Sequence, residues 1–134
     1  MAKKQGRTTS CDAADADARL KQAREFAELA TIDPYSPDGP KRSAAVSNAI
    51  LAAIAAADSI CCRSLGVRSN DDDHGRAVEL LEQAGKVGTA AAKHLQDLLR
   101  VKNKASYSSS DPTVSEAKRA IRAMKDIIAL AENL

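Results

Sequence analysis

The sequence is poorest in aromatic residues, with no Trp, two Tyr and one Phe in 134 residues. Only Phe26, Tyr35 and Tyr107 could supply a stacking surface, so a platform that binds bases through aromatic faces is disfavoured. β-Branched residues are also sparse, and strands prefer branched and aromatic side chains, so a sheet-based fold is disfavoured as well. No apolar run of about 18 residues passes without polar interruption, which argues against a membrane span. The longest apolar-rich stretch, 44–65, is broken by Ser47, Asn48, Asp58 and Ser59. The opening MAKKQGRTTSCDAADADARL is basic and then acidic, with no apolar segment to act as a secretory signal. A cytoplasmic location is the expectation.

Cysteine is scarce and odd in number: Cys11, Cys61 and Cys62. Their spacing matches no zinc or redox pair, and a cytosolic chain keeps such thiols reduced. Cys61 and Cys62 fall in a helix, where adjacent side chains diverge by about 100°. Both are read as small core residues. No P-loop and no GxGxxG are present, which removes the standard phosphate-binding loops. Neither sign of charge dominates: 20 Lys and Arg oppose 18 Asp and Glu. The net charge of +2 is too small to demand a nucleic-acid partner.

What the chain has instead is alanine, the least costly residue in a helix. The expected fold is all-α, an antiparallel bundle of about five helices. Residues 1–10 read as a disordered basic tail. Residues 11–134 read as a single helical-bundle domain, long enough to bury a useful core. Ser10 or Asp12 caps a first helix running to about Thr31, with Ala16, Leu20, Ala23, Ala27 and Ala30 as its buried stripe. Pro34, Pro37, Gly39 and Pro40 make 32–42 the longest internal loop.

A second helix is expected from about Ser43 to Leu65, with Gly66 just past its C-terminus. Val46, Ile50, Ala53, Ala57 and Ile60 form one stripe, and apolar residues occupy most other sides, so this is the central element. Asp58 is its odd member. A buried carboxylate without a partner is costly, so Asp58 is exposed, paired, or part of a polar cleft. The acids in 69–73 suit the first turn of a third helix lined by Ala77, Leu80, Leu81 and Ala84 and ended by Gly85 and Gly88. DDDHG lacks the alternating ligand spacing of a calcium loop, so capping is the reading and no metal site is expected.

A fourth helix follows Thr89 and runs to about Lys104, with Leu95, Leu98 and Leu99 facing inward. Lys102 continues that apolar stripe and must either snorkel out of the bundle end or face a polar interface. Thr113-Val-Ser-Glu116 is a capping box that opens the last helix. Ala117, Ile121, Met124, Ile128 and Ala131 carry its buried stripe. Lys118, Arg122 and Lys125 lie along another side, with Arg119 adjacent.

His74 and His94 belong to no HExxH, Cys-His or Ser-His-Asp pattern and read as surface or capping residues. Lys93, Arg100, Lys102, Lys104, Lys118, Arg119, Arg122 and Lys125 form a candidate phosphate-binding patch, interrupted by Asp97, Glu116 and Asp126. The simpler reading of that patch is a solvated charged face.

The string Lys102-Asn103-Lys104-Ala105-Ser106-Tyr107 at the end of the fourth helix resembles a position in HEPN-domain proteins. The order of elements is similar too, with SICCRSLG ending the second helix and DHGRAVELLEQ forming the third. The likeness covers about 18–134 and extends to small actinobacterial HEPN-like proteins without assigned activity. Ribonuclease members carry an Arg followed four to six residues later by a His, paired across a dimer. Here Lys102 stands where the Arg would, Asn103 keeps the polar position, and Tyr107 stands where the His would; starting from Arg100 also leads to Tyr107. Tyr ionises near pH 10 and is a poor base at neutral pH, and Lys lacks the planar fork of Arg. His74 is the candidate that would replace the missing base.

The resemblance therefore implies a non-catalytic HEPN-like module, acting as a homodimer. It would bind a partner protein, RNA or a nucleotide through Lys102, Asn103 and Tyr107, with Asp58 and His74 nearby. Two alternatives stand beside it: a toxin-type ribonuclease with an altered active site (candidates Lys102, Tyr107 and His74), and a purely structural interaction bundle. A nucleotidyltransferase-type partner would belong to a toxin–antitoxin setting. No cofactor is implied.

Overall fold

The computed structural model describes residues 7–70, 74–108 and 110–134, with side chains described outside 104–109. Among these, the chain forms an all-α bundle of five helices with one small two-stranded ribbon. The order is β1 (Thr8–Ser10), α1 (Ala13–Ala30), α2 (Gly39–Leu65), β2 (Val67–Ser69), α3 (His74–Leu81), α4 (Gly85–Ser108) and α5 (Val114–Glu132).

The all-round apolar character of α2 has the expected consequence. It packs against α1, α3, α4 and α5, and the buried core runs along it from Val46 and Ile50 to Ile60. The alanines at 49, 52, 53, 55, 56 and 57 are all buried, so neighbouring helices approach its backbone closely. By length and composition α2 could cross a membrane; in this fold most of that stretch is buried inside the bundle. Leu81, Leu95, Leu98, Ile121, Met124 and Ile127 fill the space around it. The expected capping box of α5 forms, and of the two candidate caps of α1 it is Asp12 that caps, in a box of its own. Asp12 exchanges bonds with Asp15 at the start of α1, and Thr113 does so with Glu116 at the start of α5. The amide of Asp15, donating to the Asp12 carboxylate, holds that carboxyl below its usual pKa.

Several boundaries differ from the sequence reading. Helix α2 starts at Gly39, not Ser43, because Pro40 sits in the first turn, where its missing N–H costs nothing. Helix α3 ends at Leu81, and α4 begins at Gly85 instead of after Thr89. Gly88 therefore lies inside α4 and does not end α3. A methyl group there would collide with the Leu81 carbonyl oxygen, so the tight α3–α4 corner requires glycine. Helix α4 also continues to Ser108, past Lys104.

Two larger corrections concern the N-terminus. The segment 7–10 is not a tail: Thr8, Thr9 and Ser10 pair antiparallel with Ser69, Arg68 and Val67. Residues 1–6 of that expected tail, and the acids at 71–73, lie outside the described residues. Nor are all three cysteines free, since Cys11 and Cys62 are joined by a disulfide with their Cα atoms 5.3 Å apart. The left-handed Gly66 (φ 72°) turns the chain out of α2 into β2, and β1 then brings Cys11 back beside the last turn of α2. Local cysteine spacing carries no trace of a partner 51 residues away. Cys61 remains a free, buried thiol, as a core residue should be.

Candidate functional site: a cationic groove between the last two helices

The residues singled out from the sequence divide between two regions. Asp58 is 4 % exposed, and its Oδ2 accepts from both Arg19 Nε (3.0 Å) and Arg19 Nη2 (2.7 Å). Burial pushes its carboxyl above the usual range, opposed by the positive charge of Arg19 and, more weakly, of Arg68 and His74. Asp58 and His74 are thus neighbours in one electrostatic cluster, where α1, α2, β2 and α3 meet. Arg19 lies one-quarter exposed at its edge.

Lys102 and Asn103 belong to the other end of the bundle. Both are exposed, while Val101 takes the inward position beside Leu98. The chain just beyond α4 returns to the start of α2, where Arg42 Nε donates to the Pro112 carbonyl (2.7 Å). At 1.5 Å per residue, Asp58 lies roughly 24 Å further along α2 than Arg42. The fold therefore does not gather Asp58 and His74 around Lys102. Tyr107 and Lys104 have side chains outside the described set.

What the fold does assemble is a groove of about 480 Å³ between α4 and α5. The buried stripe of α5, with Ala117, Ala120, Ile121, Met124 and Ile128 inside, leaves Ser115, Lys118, Arg119, Arg122 and Asp126 facing the groove. Helix α4 supplies His94 and Asp97 to the opposite wall. Lys118, Arg122 and Asp126 also line a neighbouring cavity of about 300 Å³, shared with Lys125 and Tyr35. Lys118 Nζ stands 5.8 Å from the centroid of the Tyr35 ring, within cation–π range. Tyr35 comes from the loop between α1 and α2, which Arg42 ties down by donating to the Ser36 carbonyl (2.7 Å).

Arg19, Arg24, Arg63, Arg76 and Arg100 each pair with a carboxylate. Among the described residues, Lys118, Arg119, Arg122 and Lys125 make no ion pair, as is also true of the more scattered Lys21, Lys41, Lys86 and Lys93. Of the two acids in the groove, Asp97 is engaged by Arg100 (3.2 Å), and Asp126 lies 3.8 Å from His94 Nδ1. The groove can therefore hold an anion with cationic side chains and the Ser115 hydroxyl. Among the described residues no hydrogen bond joins Ser115 to His94. No group of three His, Cys, Asp or Glu is placed to hold a metal among the described residues.

The cationic side of α5 was legible from helical spacing. The contributions of His94, Ser115 and Tyr35 were not, because they come from elements whose angular relation to α5 is set only by packing. The class of protein defined here is a single all-α bundle with a cationic groove between its last two helices. The chain matches no family model, no curated protein and no solved structure.

Proposed function

We propose that this protein is a non-catalytic, HEPN-like helical module that binds a phosphate-bearing ligand, with RNA as the reference case, on the α4–α5 face. One observation carries the reading: Lys118, Arg119 and Arg122, three cations without an ion pair among the described residues, line one groove, and Lys125 joins Lys118 and Arg122 at the neighbouring cavity. Arginine forks match phosphate geometry, and a helical row of cations presents them at nearly regular intervals. The exposure of Lys102 and Asn103 near the end of the same helix α4 is compatible with their extending this surface. The missing His of the family motif, replaced by Tyr107, supports binding without cleavage. The family likeness also brings a homodimer and a nucleotidyltransferase-type partner into the proposal; sedimentation of the purified protein tests the first.

The experiment is a titration of fluorescein-labelled single-stranded RNA of mixed sequence, followed by anisotropy at several salt concentrations. Binding should weaken steeply with salt. The Lys118→Glu/Arg122→Glu variant should bind at least about tenfold more weakly, with a salt slope shallower by about 1.4, as expected for two phosphate contacts on a single strand. The RNA should remain intact. Cleavage that disappears in Lys102→Ala/Tyr107→Phe would make the altered motif a working active site and overturn the non-catalytic reading. Absence of binding to both RNA and polyphosphate would overturn the cationic face.

A further inference from the structure

We propose that the Cys11–Cys62 disulfide is a thiol–disulfide exchange site, opened by a small thiol or a protein dithiol, and that opening it frees the N-terminal strand while the bundle stays folded. The inference rests on what else holds each part in place.

The strand β1 packs chiefly on β2, through three residue pairs. Two flanking backbone bonds extend the ribbon: Cys11 N donates to the Gly66 carbonyl and Asn70 N to the Arg7 carbonyl, each at 2.9 Å. An isolated two-stranded ribbon of this length is marginal in water, so the covalent link decides whether it persists. Helix α1 depends on neither. Its capping box is made by Asp12 and Asp15 alone, and Arg19–Asp58 and Arg63–Asp17 tie its first half to the end of α2. Leu20 and Ala23 then bury it in the core.

The chemistry has a direction. Cys11 is half-buried whereas Cys62 is 3 % exposed, so an incoming thiolate meets the Cys11 sulfur first. Attack forms a Cys11 mixed disulfide and expels the Cys62 thiolate, which takes up a proton. A second thiol attacks the outer sulfur of the mixed disulfide, releasing Cys11 as a thiol and the reductant as its own disulfide. Two electrons pass from two reductant thiols to the Cys11–Cys62 bond. Cys61, adjacent in sequence, does not intervene. Burial, reinforced by the negative charge of Asp58, pushes its thiol up to about 12, so it keeps its proton at neutral pH. Such an exchange has two stable states, oxidised where disulfides persist and reduced among cytosolic thiols.

The test uses the full chain purified without reductant, then exposed to graded glutathione. Hydrogen exchange should show protection at 7–11 and 67–70 falling by about tenfold or more on reduction, while amides at 45–60 stay protected. The mass should rise by two hydrogens. Iodoacetamide should label Cys11 before Cys62, with Cys61 last. Cys11→Ser should show the open ribbon from the outset and no response to glutathione. Three alkylatable thiols in the air-oxidised protein would overturn the proposal. So would a ribbon equally protected in both states, or loss of protection throughout the bundle in both the reduced protein and Cys11→Ser.

Discussion

Removing Arg19 should expose how the buried end of the bundle tolerates a carboxylate. Asp58 is 4 % exposed, and the described partners of its Oδ2 are the two N–H groups of Arg19. Deleting one member of a buried pair costs roughly 3–5 kcal/mol, because the other charge is left desolvated. Arg68 still favours the ionised form, and Arg19 itself is 26 % exposed, so Arg19→Met should fall at the low end, about 3 kcal/mol at pH 7.5. The penalty must depend on pH. Burial holds the folded pKa of Asp58 above its unfolded value, so the folded state binds this proton more tightly than the unfolded chain. The stability linked to that proton is fully present below the unfolded pKa and is lost as pH rises through the folded one. Without Arg19 the folded pKa rises further, so the defect should be largest at neutral pH and shrink in acid as the carboxyl protonates. Urea denaturation of wild type, Arg19→Met and Arg19→Met/Asp58→Asn at pH 5 and 7.5 measures this. The double variant should recover much of the loss, since the orphaned charge is gone. A penalty below about 0.5 kcal/mol at pH 7.5, or one independent of pH, would refute the argument.

Two further predictions concern backbone constraints. Under non-reducing conditions Cys11→Ser should lower unfolding free energy by up to about 4 kcal/mol, the loop-closure value for residues 51 apart; an unchanged urea midpoint would mean that the bond contributes nothing. Gly88→Ala should cost about 2 kcal/mol or more, since its methyl meets the Leu81 carbonyl oxygen and the Ala84 side chain. Gly85→Ala, which has open space but a φ of 73°, should cost only about 1 kcal/mol, and thermal melts that reversed this order would contradict the described α3–α4 corner.

The helical bundle was readable because its signals are local. Alanine content, the proline cluster before Lys41, the Thr113–Glu116 box and the stripe from Ala117 to Ala131 each act within a few residues. Boundaries slipped where two local signals competed. Pro40 and Gly88 were read as breakers, whereas one sits in a first turn and the other at a close helix contact. The ribbon was illegible because Thr8-Thr9-Ser10 is too short to show a period. The disulfide was illegible because it depends on a chain reversal at Gly66. The candidate site was half legible: α5 announces its cations, but only packing decides that His94, Asp97 and Tyr35 flank them.

The near-neutral net charge masks how the charges are distributed. Around α1 and α2 the guanidinium groups of Arg19, Arg24 and Arg63 all have carboxylate partners, and Arg42 is spent on two backbone carbonyls. On α5 like-charged pairs at helical spacing stand beside two opposite-charge ones, Glu116 three before Arg119 and Asp126 four after Arg122. Lys118 and Arg122 are four residues apart, and Arg119 and Lys125 each stand three from Arg122, all like-charged. Such pairs destabilise a helix by about 0.2–0.5 kcal/mol each, and acids at those positions would instead add stability. The like-charged pairs are slightly unfavourable in the free protein, and on the proposed function an anion lying across them would relieve that repulsion. Because a ligand that binds only the folded state stabilises that state by mass action, occupation of this groove should raise the unfolding midpoint as ligand concentration exceeds Kd.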